Sequence, residues 1–401
     1  MLKTLNTADL TPKEEVTARI DKLRKGMVEK GIELAVILQN VDIFYFTGTV
    51  QRGVLVVSAE QGPEFFVEKS IYRAGMETPL DVIPIKRDKE VKDILAEKKM
   101  LHGRCAMELD VVPVAICERW KSLLGRDRME DLSQIIRAVR LIKSEFEVAQ
   151  FRKSGEIVEH VFEKAKDIIK EGMREIDIDA ELVAEGRKWG HQGFLRMRGL
   201  NQEMMNLYVT HGYSTTITSG ADVPISGIGV THAIGQGASV NVVKRGIPVI
   251  VDYGGGYNGY ITDETRAYAV GGPLKELFRK PFEVARDIIN ETIDIAKEGT
   301  DATEVFGKAM DRVRAAGLEE HFMGHGEGQV SFIGHGLGLE INELPVITPR
   351  HRMILKEGMV FAFEPKFIFP GEGAIGIEVD FVVRENGLER LTTTPLDIVY
   401  V

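Results

Sequence analysis

Residues 250–268, IVDYGGGYNGYITDETRAY, decide how the chain is read. Asp252 and Asp263 stand at equal distances from a turn centred near Tyr257 and Asn258, so a β-hairpin closing there sets their carboxylates opposite one another on one face. The device recurs in residues 360–383, VFAFEPKFIFPGEGAIGIEVDFVV, where Glu364 and Glu378 are symmetric about Gly371. Two unit charges ~4 Å apart repel by roughly 4 kcal/mol at an effective dielectric near 20. Carboxylates opposed in this way call for a cation between them.

His335, among small residues in FIGHGLGLEINELP (332–345), can bring an imidazole to such a cation. Carboxylate oxygens with one nitrogen make a hard site that favours Mn²⁺, Fe²⁺ or Co²⁺ and permits Zn²⁺. Four ionised carboxylates sum to a charge that two divalent ions neutralise and one does not, so two metals are expected, with one water between them to activate. Gly254, Gly256 and Gly259 spell GxGxxG, but the following ITDETRAYAV is β-branched and aromatic rather than the start of a helix, which excludes a dinucleotide fingerprint. The glycines around His335 lack the Lys-Ser/Thr of a phosphate loop.

The 401 residues, 44% hydrophobic and 28% charged, are enough for two domains with their own cores. A net charge of -10 argues against nucleic acid or an anionic membrane surface as a partner. The first 20 residues lack a signal-peptide core and no apolar run is long enough to span a membrane, which points to the cytoplasm. Cys105 and Cys117 are too few for a disulfide framework and read as small buried apolar residues.

Residues 11–31 carry apolar positions at helical spacing and stop at a glycine, predicting an opening helix. IELAVILQ, GVLVVSAE, PEFFVEK and DVIPIKR read as strands, so residues 1–138 form an α/β domain for packing or dimerisation; FYFTG (44–48) and Arg52 are candidates to border a site. From residue 139 to 401 the order is helices, strands, helices, strands. The stretches 170–190 and 297–317 share length, an opening KEG and a closing glycine, which with the two carboxylate hairpins suggests a duplicated half-domain. Trp189, Arg196, Arg198, His211 and His325 read as packed or solvated loop residues, and Arg266 as support for the Asp263 carboxylate.

These residues in their settings resemble the metal centre of the pita-bread metallopeptidases: methionine aminopeptidase, aminopeptidase P, prolidase and the related creatinase. VDYGGGYNGYITDETR is similar to the paired-aspartate hairpin, GHGLGLEINELP to the metal-histidine loop, and GMVFAFEPKF and IGIEVDFVV to the two glutamate strands. RIDKLRKGMVEKGIELAVIL with YFTG resembles the N-terminal domain of the prolidase, aminopeptidase P and creatinase branch. The resemblance implies an α/β (α+β) fold: a creatinase-like domain followed by a pita-bread domain with pseudo-twofold duplicated helix pairs and antiparallel strands. It implies that Asp252, Asp263, His335, Glu364 and Glu378 hold two divalent metal ions, Asp263 and Glu378 spanning both. Glu364 would exchange the proton of a metal-bridging hydroxide and His232 would contact substrate and steady the oxyanion. A homodimer is implied as well.

Three positions depart from the family. Asn342 stands where peptidase members usually carry a second histidine, seven residues after the metal histidine, and so takes over a substrate contact. Gly376 stands where prolidases and aminopeptidases P commonly have arginine, and Ser331 where aminopeptidase P has histidine. The expected activity is that of an Xaa-Pro aminopeptidase or dipeptidase. The alternative is a small-molecule enzyme on the same fold, a creatinase-like C–N hydrolase or a dimethylsulfoniopropionate lyase-like enzyme, for which Asn342 and Gly376 are the motive.

Overall fold

A computed structural model describes residues 9–401. The first eight residues, on which part of the signal-peptide reading falls, lie outside the described residues. The chain divides into two compact units, one ending at Arg140 and the other running from Leu141 to Val401.

In the first unit the predicted opening helix runs Lys13–Lys30, with Glu14 and Glu15 in its first turn and Lys30 in its last, where each charge suits the helix dipole. Val16, Ile20, Leu23 and Met27 form its buried stripe. All four predicted strands are present, as Leu34–Ile37, Gly53–Ser58, Glu64–Val67 and Val82–Pro84. Cys105–Met107 and Glu130–Asp131 complete a mixed six-stranded sheet with Leu34–Ile37 inside it. Every residue of Leu34–Ile37 is buried, so the strand reads as a continuous apolar run rather than an alternation. Burial pushes the Cys105 thiol up to about 12, consistent with an unreactive core residue. No helix among the described residues is long and apolar enough to cross a membrane.

The second unit repeats one plan twice. Helices Glu145–Ile168 and Glu175–Lys188 precede a four-stranded sheet built on Leu207–His211, Val249–Gly254 and Asp263–Ala269. Helices Glu276–Ile295 and Ala302–Ala316 precede a five-stranded sheet that includes Gly334–Gly336, Val360–Phe363 and Val379–Arg384. The self-similar stretches become Glu175–Lys188 and Ala302–Ala316, the second helix of each pair. A Ser144/Glu147 capping box opens the first of these four helices and Asp301 caps the last.

Strand parity divides the packing. Val249, Val251 and Tyr253 join Val158, Val161 and Leu182 of the first helix pair in one core. Ile250, Ala267 and Ala269 turn the other way and share a core with Phe278, Phe282 and the Phe361 and Phe381 strands. Asp252, Asp263 and Thr265 therefore lie on the second face, in line with an apolar stripe.

The two hairpins meet the sequence reading differently. In the second, Lys366 pairs with Gly376 and Phe363 with Val379, so the predicted symmetry of Glu364 and Glu378 about Gly371 holds. In the first, Asp252 pairs with Thr265 and Asp263 with Gly254, so the aspartates are two residues out of direct opposition. The turn lies one residue later than expected. Tyr257 and Tyr260 exchange N–H···O bonds of 3.0 and 2.9 Å, leaving Asn258 and Gly259 as the loop, with φ 48° and 88°. A two-residue Asn-Gly loop with both φ positive matches the right-handed twist of the strands, and that local preference overrides sequence symmetry. A shift of two preserves parity, so both carboxylates stay on one face.

Candidate metal centre

Parity in the second hairpin puts Glu364, Lys366, Glu378 and Asp380 on one face. The Glu378 N–H donates to the Thr265 carbonyl at 3.3 Å, joining this hairpin to the first. His335 enters from Gly334–Gly336, which pairs with Val360–Phe363 on one side and Glu343–Ile347 on the other.

His335 Nε2 lies 3.7 Å from Asp263 Oδ2, 3.8 Å from Glu378 Oε1 and 3.9 Å from Glu364 Oε1. These separations are too long for hydrogen bonds. Asp263, His335 and Glu378 offer ligand atoms that all lie within 4.8 Å of one another. Glu378 Oε1 is buried without a hydrogen-bond partner. Leaving a buried carboxylate oxygen undonated costs on the order of several kcal/mol unless a cation meets it, so these residues fit a divalent ion.

Sequence reasoning missed the cation already present. Lys366 Nζ donates to Glu378 Oε2 at 2.7 Å, Glu364 Oε2 at 2.8 Å and Asp252 Oδ2 at 3.0 Å. Three charge-assisted bonds worth roughly 1.5–3 kcal/mol each can offset the desolvation of one ammonium. Burial alone pushes Lys366 toward neutrality, but Asp252, Glu364, Glu378 and Asp263 outweigh it and hold the side chain well above the usual lysine range. Burial, then Glu378 and Asp252, raise Asp263 well above the ordinary aspartate value. Glu378 is likewise raised by burial and Glu364, with Lys366 working against them. The cluster remains short of positive charge even with the lysine in place.

The surrounding bonds orient these groups. Thr265 Oγ1 donates to Glu378 Oε2 at 2.8 Å, and the Asp263 N–H donates to Asp380 Oδ2 at 2.8 Å. Thr265 and Asp380, both fully buried, are not among the sequence candidates; their parity with Asp263 and Glu378 is the signal that marks them. Arg266 corrects its expected role: it bonds the Glu378 carbonyl at 2.8 Å and the Glu264 carboxylate at 3.0 Å, bracing the neighbouring strand rather than the Asp263 carboxylate.

The cluster opens into a cavity of about 570 Å³, walled by Phe332, Ile341, Val346, Met197 and Tyr208 among others. Tyr208 pairs with Asp252 in the sheet and donates its hydroxyl to Gln236 Oε1 at 3.0 Å. Burial and the Asp252 charge raise its pKa, so it remains a donor.

His232 is exposed in a tight turn and does not line the cavity, so the structure does not bring it to the metal cluster. Asn342 does line the cavity, but its Oδ1 accepts from the Arg198 N–H at 2.8 Å and its Nδ2 donates to the Arg198 carbonyl at 2.9 Å. These two bonds clip the 196–198 segment in place as a paired strand would, beside the cavity that Asn342 lines. Arg198 is buried against Glu340, and Trp189 stacks on His160. His211 and His325 bond the Pro248 and Thr216 carbonyls, as packed loop residues do. Arg52, in the first unit, makes an exposed pair with Glu68.

Two family profiles match the chain: Metallopeptidase family M24 over residues 149–385 and the Creatinase/Prolidase N-terminal domain over residues 19–142. The chain is 27% identical to the Xaa-Pro dipeptidase of Pyrococcus furiosus over 382 residues, covering 95% of this chain and 99% of the relative. Its fold is similar to that of an X-Pro aminopeptidase from Thermotoga maritima, with TM-score 0.78, 26% identity and coverage of 95% and 99% of the two chains. A prolidase from Pyrococcus furiosus gives TM-score 0.76 at 26% identity, covering 93% and 99%.

Proposed function

Because the chain belongs to metallopeptidase family M24, we propose that it is a metal-dependent Xaa-Pro peptidase, cleaving the bond that precedes proline in a dipeptide or at the start of a longer peptide. The observation that carries this reading is the undonated Glu378 Oε1, grouped with His335 and Asp263 in the lining of the cavity. The names of the relatives, Xaa-Pro dipeptidase and X-Pro aminopeptidase, support the substrate class.

Asp252, Asp263, His335, Glu364 and Glu378 make up the proposed centre, and its carboxylate-rich donor set favours manganese. A divalent metal supplies Lewis acidity when bound, polarising a carbonyl oxygen and making water acidic near neutral pH. The chain's own groups do the rest. Glu364 has Oε2 fixed by Lys366 while Oε1 faces His335, so a proton that it takes and returns to the leaving nitrogen would pass through Oε1, beside the metal position. Phe332, Ile341 and Val346 give the cavity an apolar wall, and the Tyr208 hydroxyl is a donor beside Asp252. A part for His232 in steadying the oxyanion rests on the family resemblance. So do a homodimer formed through a first domain of residues 1–138, a catalytic domain of residues 139–401 and a cytoplasmic location.

The test is turnover of an Xaa-Pro dipeptide against a longer Xaa-Pro peptide on protein stripped and reloaded with Mn²⁺, Co²⁺ or Zn²⁺. Cleavage of the dipeptide makes it a dipeptidase, and cleavage of the longer peptide alone an aminopeptidase. Full metal loading without cleavage of either overturns the reading. Asp263→Ala is expected to lose both metal and turnover; a variant that keeps stoichiometric metal and normal rates would remove Asp263 from the centre.

A further inference from the structure

The geometry points to a metal count: the Lys366 ammonium takes the place of a second cation, so each chain binds one divalent ion, held by Asp263, His335, Glu364 and Glu378. This rests on the metallopeptidase reading and states how that site is loaded. Glu364 and Glu378 each divide their oxygens between two positions, as carboxylates bridging two cations do. Glu378 gives Oε2 to Lys366 Nζ at 2.7 Å and turns Oε1 toward His335 Nε2, 3.8 Å away. Glu364 gives Oε2 to Nζ at 2.8 Å and turns Oε1 toward the same imidazole nitrogen at 3.9 Å. Asp252, the remaining carboxylate, has its Oδ2 on Nζ at 3.0 Å. One of the two cation positions is thus filled by a cation tethered to the chain.

The lysine side chain is 2% exposed, so water does not screen its charge from an ion beside it. A second divalent ion on Asp252 would share three oxygens with that ammonium or displace it from all of them. Four carboxylates have charge for two divalent ions, but the lysine removes one unit of it.

Gly376 makes the arrangement possible. It pairs with Lys366 across the hairpin, and a Cβ there would meet Lys366 Cα and Cγ and the Pro365 carbonyl, each at 2.7 Å. The strand position where prolidases and aminopeptidases P commonly carry arginine is bare here, and the positive charge stands on its cross-strand partner.

The experiment strips the full chain with chelator, dialyses it against excess Mn²⁺, counts metal per chain and records the Mn²⁺ electron paramagnetic resonance spectrum. Wild type is expected to hold about one ion with the spectrum of an isolated centre, and Lys366→Met and Lys366→Gln about two ions with a spin-coupled spectrum. Thermal unfolding checks that each variant is folded, and the wild-type count stands without them. Two coupled ions in wild type overturn the inference, as do folded variants that stay at one. Two ions with Xaa-Pro cleavage leave the functional reading intact; one ion without cleavage supports the count and overturns that reading.

Discussion

Asn342 and Thr265 work through main chain and carboxylate respectively, and their variants separate packing from metal binding. Asn342→Ala removes the two hydrogen bonds that Asn342 makes to the Arg198 main chain, so unfolding free energy is expected to fall by about 1–3 kcal/mol in urea while metal content is unchanged. A substrate contact would instead raise KM at constant stability. Thr265→Val preserves shape but deletes the hydrogen bond that aims Glu378, and metal affinity is expected to weaken roughly 10–100-fold in a competition titration. Unchanged affinity would make Thr265 a packing residue only. Lys366 and Asp380 were within reach of the sequence, because each stands two residues from a glutamate already chosen and strand parity returns a side chain to the same face.

Among the elements, the Val249–Gly254 and Asp263–Ala269 hairpin depends on a turn whose residues sit at positive φ. Gly259, at φ 88°, is the residue that a side chain strains most, and Gly259→Ala is expected to cost roughly 1–2 kcal/mol of stability, read from the urea midpoint. A neutral result would mean the strands, not the turn, set the register. The second hairpin was legible because its symmetry centre, Gly371, coincides with the real turn. In the first, the symmetry of the aspartates points one residue before the real Asn-Gly turn, because turn geometry acts locally and acidic spacing does not.

For the whole molecule, His211 makes stability depend on pH. Its Nδ1 bonds the Pro248 carbonyl at 3.1 Å while Nε2 accepts the Lys244 N–H at 2.9 Å, an arrangement that needs the neutral ring. Burial, with a smaller push from Lys244, lowers its pKa from 6.5 to about 4. The unfolded chain takes the proton first as pH falls, so this contribution is full above about 6.5, drains between there and about 4, and amounts to on the order of 3 kcal/mol. Glu108, raised to about 8 by burial and by Asp42, acts with the opposite sign, its stabilisation draining as pH rises through about 8. Urea unfolding of wild type and His211→Gln at neutral and mildly acidic pH isolates the histidine, since Glu108 titrates alike in both. The variant is expected to lose less stability on acidification; equal losses would show that His211 does not carry the effect.

The five residues of the proposed centre, the duplicated helix pairs and the four strands and opening helix of the first unit are legible in sequence alone, because periodicity, parity and local turn residues act over a few positions. What only tertiary structure decided lies between segments distant in the chain. Asn342 and Arg198 are 144 residues apart and become one hydrogen-bonded clip. Lys366 and Asp252, 114 apart, become an ion pair inside the centre. A carboxylate's neighbours in sequence do not say which cation reaches it first. That is set by how two hairpins face each other, and here the facing strand brought a lysine.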